Sequence, residues 1–233
     1  MQHEILSLLE EITPFGFVLT TDEKGYAKYQ RDCGFKVDVI GLGNILDGEL
    51  NDRLDSWISF SAIESILRPA FKVDRNTDFN VTIASKQNDY LRNLSLNESI
   101  YSNLPLTIDS DAALERARVL IQQFIEQDAL PFFRYWSDIR RFLPYLETVP
   151  FTELYAVFYN DAFLKKVAVW HLCNHPRLNE FIEERLNAIS DAIEVDPKNS
   201  RAKEYLKILR TIIKRLEKVK PLYEWDSSWL EQR

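Results

Sequence analysis

His171 and His175 stand four residues apart in His171-Leu172-Cys173-Asn174-His175. On a helix that spacing puts two imidazoles on one face, where they can share a metal ion. Zinc takes three or four protein ligands. The zinc-peptidase pattern needs Glu directly after the first His, and Leu172 stands there. The pair also falls at the end of a helical period. An imidazolium at that place suits the helix dipole and can bond the last carbonyls. Capping is the preferred reading; a metal-dependent hydrolase using His171 and His175 is the enzymatic alternative. No cofactor is expected.

Other stretches offer chemistry in outline only. Gly41-Leu42-Gly43-Asn44 begins like a phosphate loop, but position 46 is Leu and no Lys-Ser/Thr follows. Close backbone approach at three points is therefore unmet. Asp47, Glu49, Asp52 and Asp55 cluster between two expected strands. A calcium loop numbered from Asp47 would need Gly at its sixth position, where Asp52 stands. Solvated loop charge is preferred, and the four acids are kept as a candidate surface for a basic partner. No Ser lies in a Gly-x-Ser-x-Gly setting.

Lys203, Lys207, Arg210 and Lys214 fall on one stripe at 100° per residue, opposite an apolar face. Lys198 to Lys220 holds nine basic and two acidic residues. The stripe could meet phosphate or an acidic partner, although a solvated outer face is the commoner reason for such a pattern. No aromatics interleave with it, so base stacking is not suggested. Twelve aromatics lie between Pro131 and Trp170. Tyr135, Trp136, Tyr155 and Tyr159 have polar tips and are the candidates for a binding surface.

These residues must be held by two kinds of element. Ile5, Leu8, Leu9 and Ile12 mark a helix over residues 3–12, stopped by Pro14. Strand signals follow at Phe15–Thr21, Tyr26–Cys33 and Phe35–Val39, where Lys36 and Asp38 alternate with apolar residues. Further alternation covers Ile58–Ala62 and Phe79–Ile83. Short polar connections predict an antiparallel meander of about five strands. After residue 107 the period becomes helical. The spacing predicts helices from Asp109 to Ile125, from Pro131 to about Phe142 with Pro144 closing it, and from Asn160 or Asp161 to Pro176. Two more run over Leu178–Ile193 and Ala202–Leu216 around an Asp196-Pro197-Lys198-Asn199 turn. The segment after Pro221, with Trp225 and Trp229, carries no assignment.

The fold class expected is therefore α+β: an N-terminal helix and antiparallel meander over 1–107, then an all-helical region over 108–233, packed together as one unit. No run of about 18 apolar residues predicts a membrane span. The start, Met1-Gln2-His3-Glu4, has no basic leader, and Cys33 and Cys173 lie in different expected elements. A cytoplasmic protein with two reduced thiols is expected. The net charge of −7 argues against nucleic acid as the main partner. Residues 1–107 hold 16 acidic and 10 basic side chains, and residues 108–233 hold 20 and 19. The acidic excess thus lies in the first half.

Two resemblances add to this. Ala188 to Ala202, around Asp196-Pro197, resembles the helix–turn–helix junction of a tetratricopeptide repeat over about one junction. A short helix, a meander opened by Gly16-Phe17 and a helix carrying Leu130-Pro131-Phe132-Phe133 are together similar to uncharacterised bacterial α+β proteins. Some of those are thought to act as immunity or accessory proteins. The resemblance covers residues 3–143 and carries over no functional residue. A well-formed core pattern without a recognisable catalytic constellation leads to the expectation of a non-enzymatic interaction protein, immunity-like or an adaptor, whose partner is another protein. The metal-dependent hydrolase and a phosphate- or nucleic-acid-binding basic helix at 198–220 stay open beside it.

Overall fold

The computed structural model describes residues 2–51, 54–71, 81–85 and 102–232. The chain is α+β, with an N-terminal helix, a five-stranded antiparallel sheet and a helical C-terminal half. It divides into two compact units, each made from two stretches of chain: residues 1–60 with 83–137, and residues 61–82 with 138–233.

In the first unit, α1 (Gln2–Glu11) buries Ile5, Leu8 and Leu9. The sheet joins β1 (Val18–Thr21), β2 (Ala27–Asp32), β3 (Lys36–Gly41), β5 (Asp55–Phe60) and β6 (Ile83–Ala84) in that order, every pair antiparallel. A separate pair links β4 (Glu49–Leu50) to β7 (Leu106–Thr107). The β1–β2 turn is held by Asp22, whose carboxylate accepts from the Lys24 and Tyr26 N–H groups. Gly25 there has φ +74°, and a Cβ would stand 2.7 Å from the Asp47 carboxylate. A side chain fits neither the backbone nor the space.

The alternation in β3 has the opposite sense to the one its sequence suggests. Lys36 and Asp38 are buried while Phe35 is 54% exposed. The two charges satisfy each other. Asp38 lies 2.8 Å from Lys36 Nζ and 2.6 Å from Arg31, and Lys36 also donates to the Phe133 carbonyl at 2.9 Å. Paired and hydrogen-bonded charges can occupy a core that isolated ones cannot.

The expected strand through Ala62 ends at Phe60, and Ser61 opens a helix instead. The last expected strand keeps only Ile83 and Ala84; Phe79 lies outside the described residues.

Helix α3 (Asp111–Phe124) is capped by Ser110, whose hydroxyl accepts from the Ala113 N–H. It runs through a π turn at Ile125–Ala129 into α4 (Leu130–Tyr135), with the Leu130 N–H reaching back five residues to Ile125. Pro131 lies in the first turn of α4, as expected. The helix stops at Tyr135, not Phe142. Asp138 caps a new 3-10 turn at Ile139–Phe142, which enters α5 (Leu143–Thr148). Pro144 therefore opens a helix and does not close one. The first turn tolerates it because its missing N–H would have had no partner there.

The second unit contains α2 (Ser61–Leu67), α5, α6 (Ala162–Leu172), α7 (Leu178–Val195) and α8 (Ser200–Leu216). Helix α6 is its core, buried at every residue from Phe163 to Trp170 and at Leu172. A helix apolar on all sides is an interior helix. Its two lysines are buried too. Lys165 donates to the carbonyls of Val81 and Tyr159, and Lys166 donates to that of Leu146 at 2.7 Å. The tail docks on the same unit: the Leu222 and Tyr223 N–H groups both bond the Leu172 carbonyl. The Arg140 guanidinium lies against both Tyr223 and Trp229, at 4.2 and 4.3 Å.

Candidate functional site

Helices α7 and α8 form a hairpin around the predicted turn. Asp196 accepts from the Lys198 N–H, and Asn199 caps α8 by accepting from the Ala202 N–H at 2.9 Å. Helix α7 has 18 residues and buries one of them, Ile182. Helix α8 buries Leu209, Ile212 and Leu216, all in its second half. Between residues 183 and 208 nothing is buried. Leu186, Ile189, Ile193, Ala202 and Leu206 are only half-buried there, and Val195 is 88% exposed. Two helices alone cannot cover an apolar stripe that each presents.

The basic stripe lies on the outside of this hairpin. Lys203, Lys207, Arg210 and Lys214 are exposed and, with Leu206 and Thr211, line a shallow cleft of about 260 Å³. No described carboxylate lies within ion-pair distance of any of the four. Arg215 turns the other way and donates to the carbonyls of Ser65 and Ile66. The stripe is therefore a local positive surface on a chain of net charge −7.

The two histidines do not share a helical face. Helix α6 ends at Leu172, and Asn174 takes a left-handed backbone with φ 49°, so His175 leaves the helix. His171 Nε2 lies 2.6 Å from the Val219 carbonyl. His175 stacks flat on Trp170 at 3.9 Å and meets the edge of Trp225. Its Nδ1 accepts from the Arg177 N–H, which leaves Nε2 to carry the proton towards Glu147, 2.7 Å away. Burial holds this imidazole below its ordinary pKa, and the Glu147 charge opposes that shift. Among the described residues no group of three His, Cys, Asp or Glu is placed to hold a metal.

The aromatic candidates are divided between the units. Trp136 is wholly buried, so it serves the core rather than a surface, with Tyr135 against its edge at 5.1 Å. Tyr155 is exposed on the 3-10 turn Phe151–Ala156 of the second unit. Tyr159 is half-buried, and its backbone bonds Thr82 and Lys165.

Of the acidic candidates, Asp47 and Glu49 are exposed. Asp55 is half-buried and accepts from the Ser56 N–H and the Ser85 hydroxyl. Asp52 lies outside the described residues. Gly41 is explained by packing: a Cβ there would meet the Trp57 ring at 2.6 Å and the Tyr26 hydroxyl at 2.8 Å.

Both cysteines are free thiols, and burial pushes Cys173 up to about 12. A thiol so held is protonated and a poor nucleophile. Sequence reading passed over the Arg140 contacts with Tyr223 and Trp229. Only the density of aromatics in the tail signalled them.

No protein family matches the sequence, and neither a curated protein nor a solved structure is similar to it. No helix among the described residues is long and apolar enough to cross a membrane.

Proposed function

We propose that this chain is a non-enzymatic protein-binding module, an adaptor or immunity-like protein, that engages its partner through the α7–α8 hairpin. One observation carries the reading: no residue from 183 to 208 is buried, although Leu186, Ile189, Ile193 and Leu206 recur there at core spacing. A partner that covers this seam removes apolar area from water, at about 25 cal/mol per Å².

The test is a photo-crosslinking amino acid placed at Ala192 or Val195 in the full chain, expressed in its host. A single polypeptide is expected to be captured from both positions and lost when Ile189 and Ile193 become Lys. Adducts from control positions on α3 but none from the hairpin would overturn the reading.

A phosphate or nucleic-acid ligand on Lys203, Lys207, Arg210 and Lys214 is the second reading, favoured by the cleft those cations line. It ranks lower because no aromatic side chain lines the cleft to act as a stacking platform. It predicts binding to a short single-stranded RNA that weakens steeply with salt.

A further inference from the structure

The basic stripe on α8 has a counterpart on α7. Lys203, Lys207, Arg210 and Lys214 follow one another at gaps of four, three and four residues. Glu180, Glu184, Asn187 and Asp191 follow the same gaps, and all eight residues are exposed. Helix α7 as a whole carries five carboxylates and one Arg; α8 carries six cations and one Glu. At 100° per residue, each stripe lies on the side of its helix opposite its buried residues, Ile182 on α7 and Leu209, Ile212 and Leu216 on α8. Among the described residues no ion pair joins the two stripes within the chain, and the cleft on the basic stripe is lined by α8 residues alone.

We infer that a second copy of this chain docks its acidic α7 edge along the basic α8 edge of the first. The gap pattern reads the same in both directions, so an antiparallel neighbour aligns all four positions together. Lys203 meets Asp191 of the second copy, Lys207 meets Asn187, Arg210 meets Glu184 and Lys214 meets Glu180.

Antiparallel helix dipoles attract, which adds to the charge pairing. Glu180 now pairs with Arg177, and Glu184 lies 3.9 Å from Arg185. Exposed pairs of this kind are weak and exchange readily. The contact joins two different surfaces, so each added copy leaves a free edge of either sign, and association runs head to tail.

This inference rests on the hairpin being the docking element. Its test uses the full chain in sedimentation velocity. Mass above the monomer should grow with protein concentration at low ionic strength. Association should weaken about tenfold at high ionic strength, as expected for a contact carried by three exposed charge pairs.

Two neutralised variants sharpen the test. One carries Lys207→Gln, Arg210→Gln and Lys214→Gln; the other carries Glu180→Gln, Glu184→Gln and Asp191→Asn. Each should be monomeric alone with an unchanged circular dichroism spectrum. An equal mixture should form one-to-one dimers and nothing larger, because one intact edge of each sign remains. A monomeric wild type at every concentration, or a mixture that does not pair, overturns the inference. If hairpin crosslinks then capture a different polypeptide, the binding-module reading stands without it. If the hairpin captures nothing, both fail.

Discussion

Helices α6 and α7 follow one another in the same unit and bury their side chains to opposite extremes. Helix α6 has 11 residues and is buried almost throughout; α7 has 18 and buries one. Helix α6 is apolar around most of its circumference, whereas α7 has one apolar face and carries five carboxylates. Where α6 brings cations into the core, each finds fixed oxygens: the Val81 and Tyr159 carbonyls for Lys165, and the Leu146 carbonyl for Lys166. The charges of α7 and α8 mostly face water and need no such partners. The core helix is committed to stability, while the hairpin keeps a half-covered seam and two charged edges for other contacts.

The largest effect that would test this contrast comes from Trp170, buried on α6 beneath the His175 ring. Trp170→Ala should cost about 3–5 kcal/mol in urea unfolding, the usual range for a large aromatic removed from a core. A loss below 1 kcal/mol, on the scale of a surface change, would mean that α6 is not the core it looks to be.

Lys165→Met comes next. It keeps the length of the side chain but leaves the Val81 and Tyr159 carbonyls without their donor. A loss of about 1–3 kcal/mol is expected.

His175 should register as a slope. Its folded-state pKa lies below the unfolded value, so the unfolded chain takes up the proton first as pH falls. Stability is then fully present above about pH 6.5 and declines as pH falls through the folded value. The urea midpoint of wild type should drop over that window, and that of His175→Gln should drop less. Parallel curves would remove His175 as the cause.

Hairpin changes should be the smallest. Ile193→Ser, at a half-buried position, should cost under about 1 kcal/mol, and Lys207→Ala should stay within about 0.5 kcal/mol. A large loss from Lys207→Ala would mean that the basic edge is part of the fold, and the contrast between the two helices would break.

Much of the architecture was legible before any coordinates. The helices at 2–11, 111–124, 162–172, 178–195 and 200–216 and the first three strands follow from periodicity and caps. What misled were places where one residue type serves two local states. Pro144 reads as a stop but sits in a first turn, and the alternation through Ala62 continues a strand that the chain ends at Phe60.

The candidate site was legible in part. The basic stripe stands on one exposed face, as its spacing predicts. The histidine pair depended on a helix continuing past Leu172, and Asn174 takes the chain out of it.

Sequence by itself determined which residues repeat at 2 and at 3.6, and therefore the long helices, the first three strands and where the charged stripes of the hairpin fall. It could not say which face of β3 is inside, because Lys36 and Asp38 look outward until Arg31 and the Phe133 carbonyl are brought to them. Local periodicity is a property of neighbours within a few residues, and it sets an element's shape. Burial and pairing depend on groups far apart in the chain, such as Lys165 and Val81, or His171 and Val219, that only the tertiary fold places together.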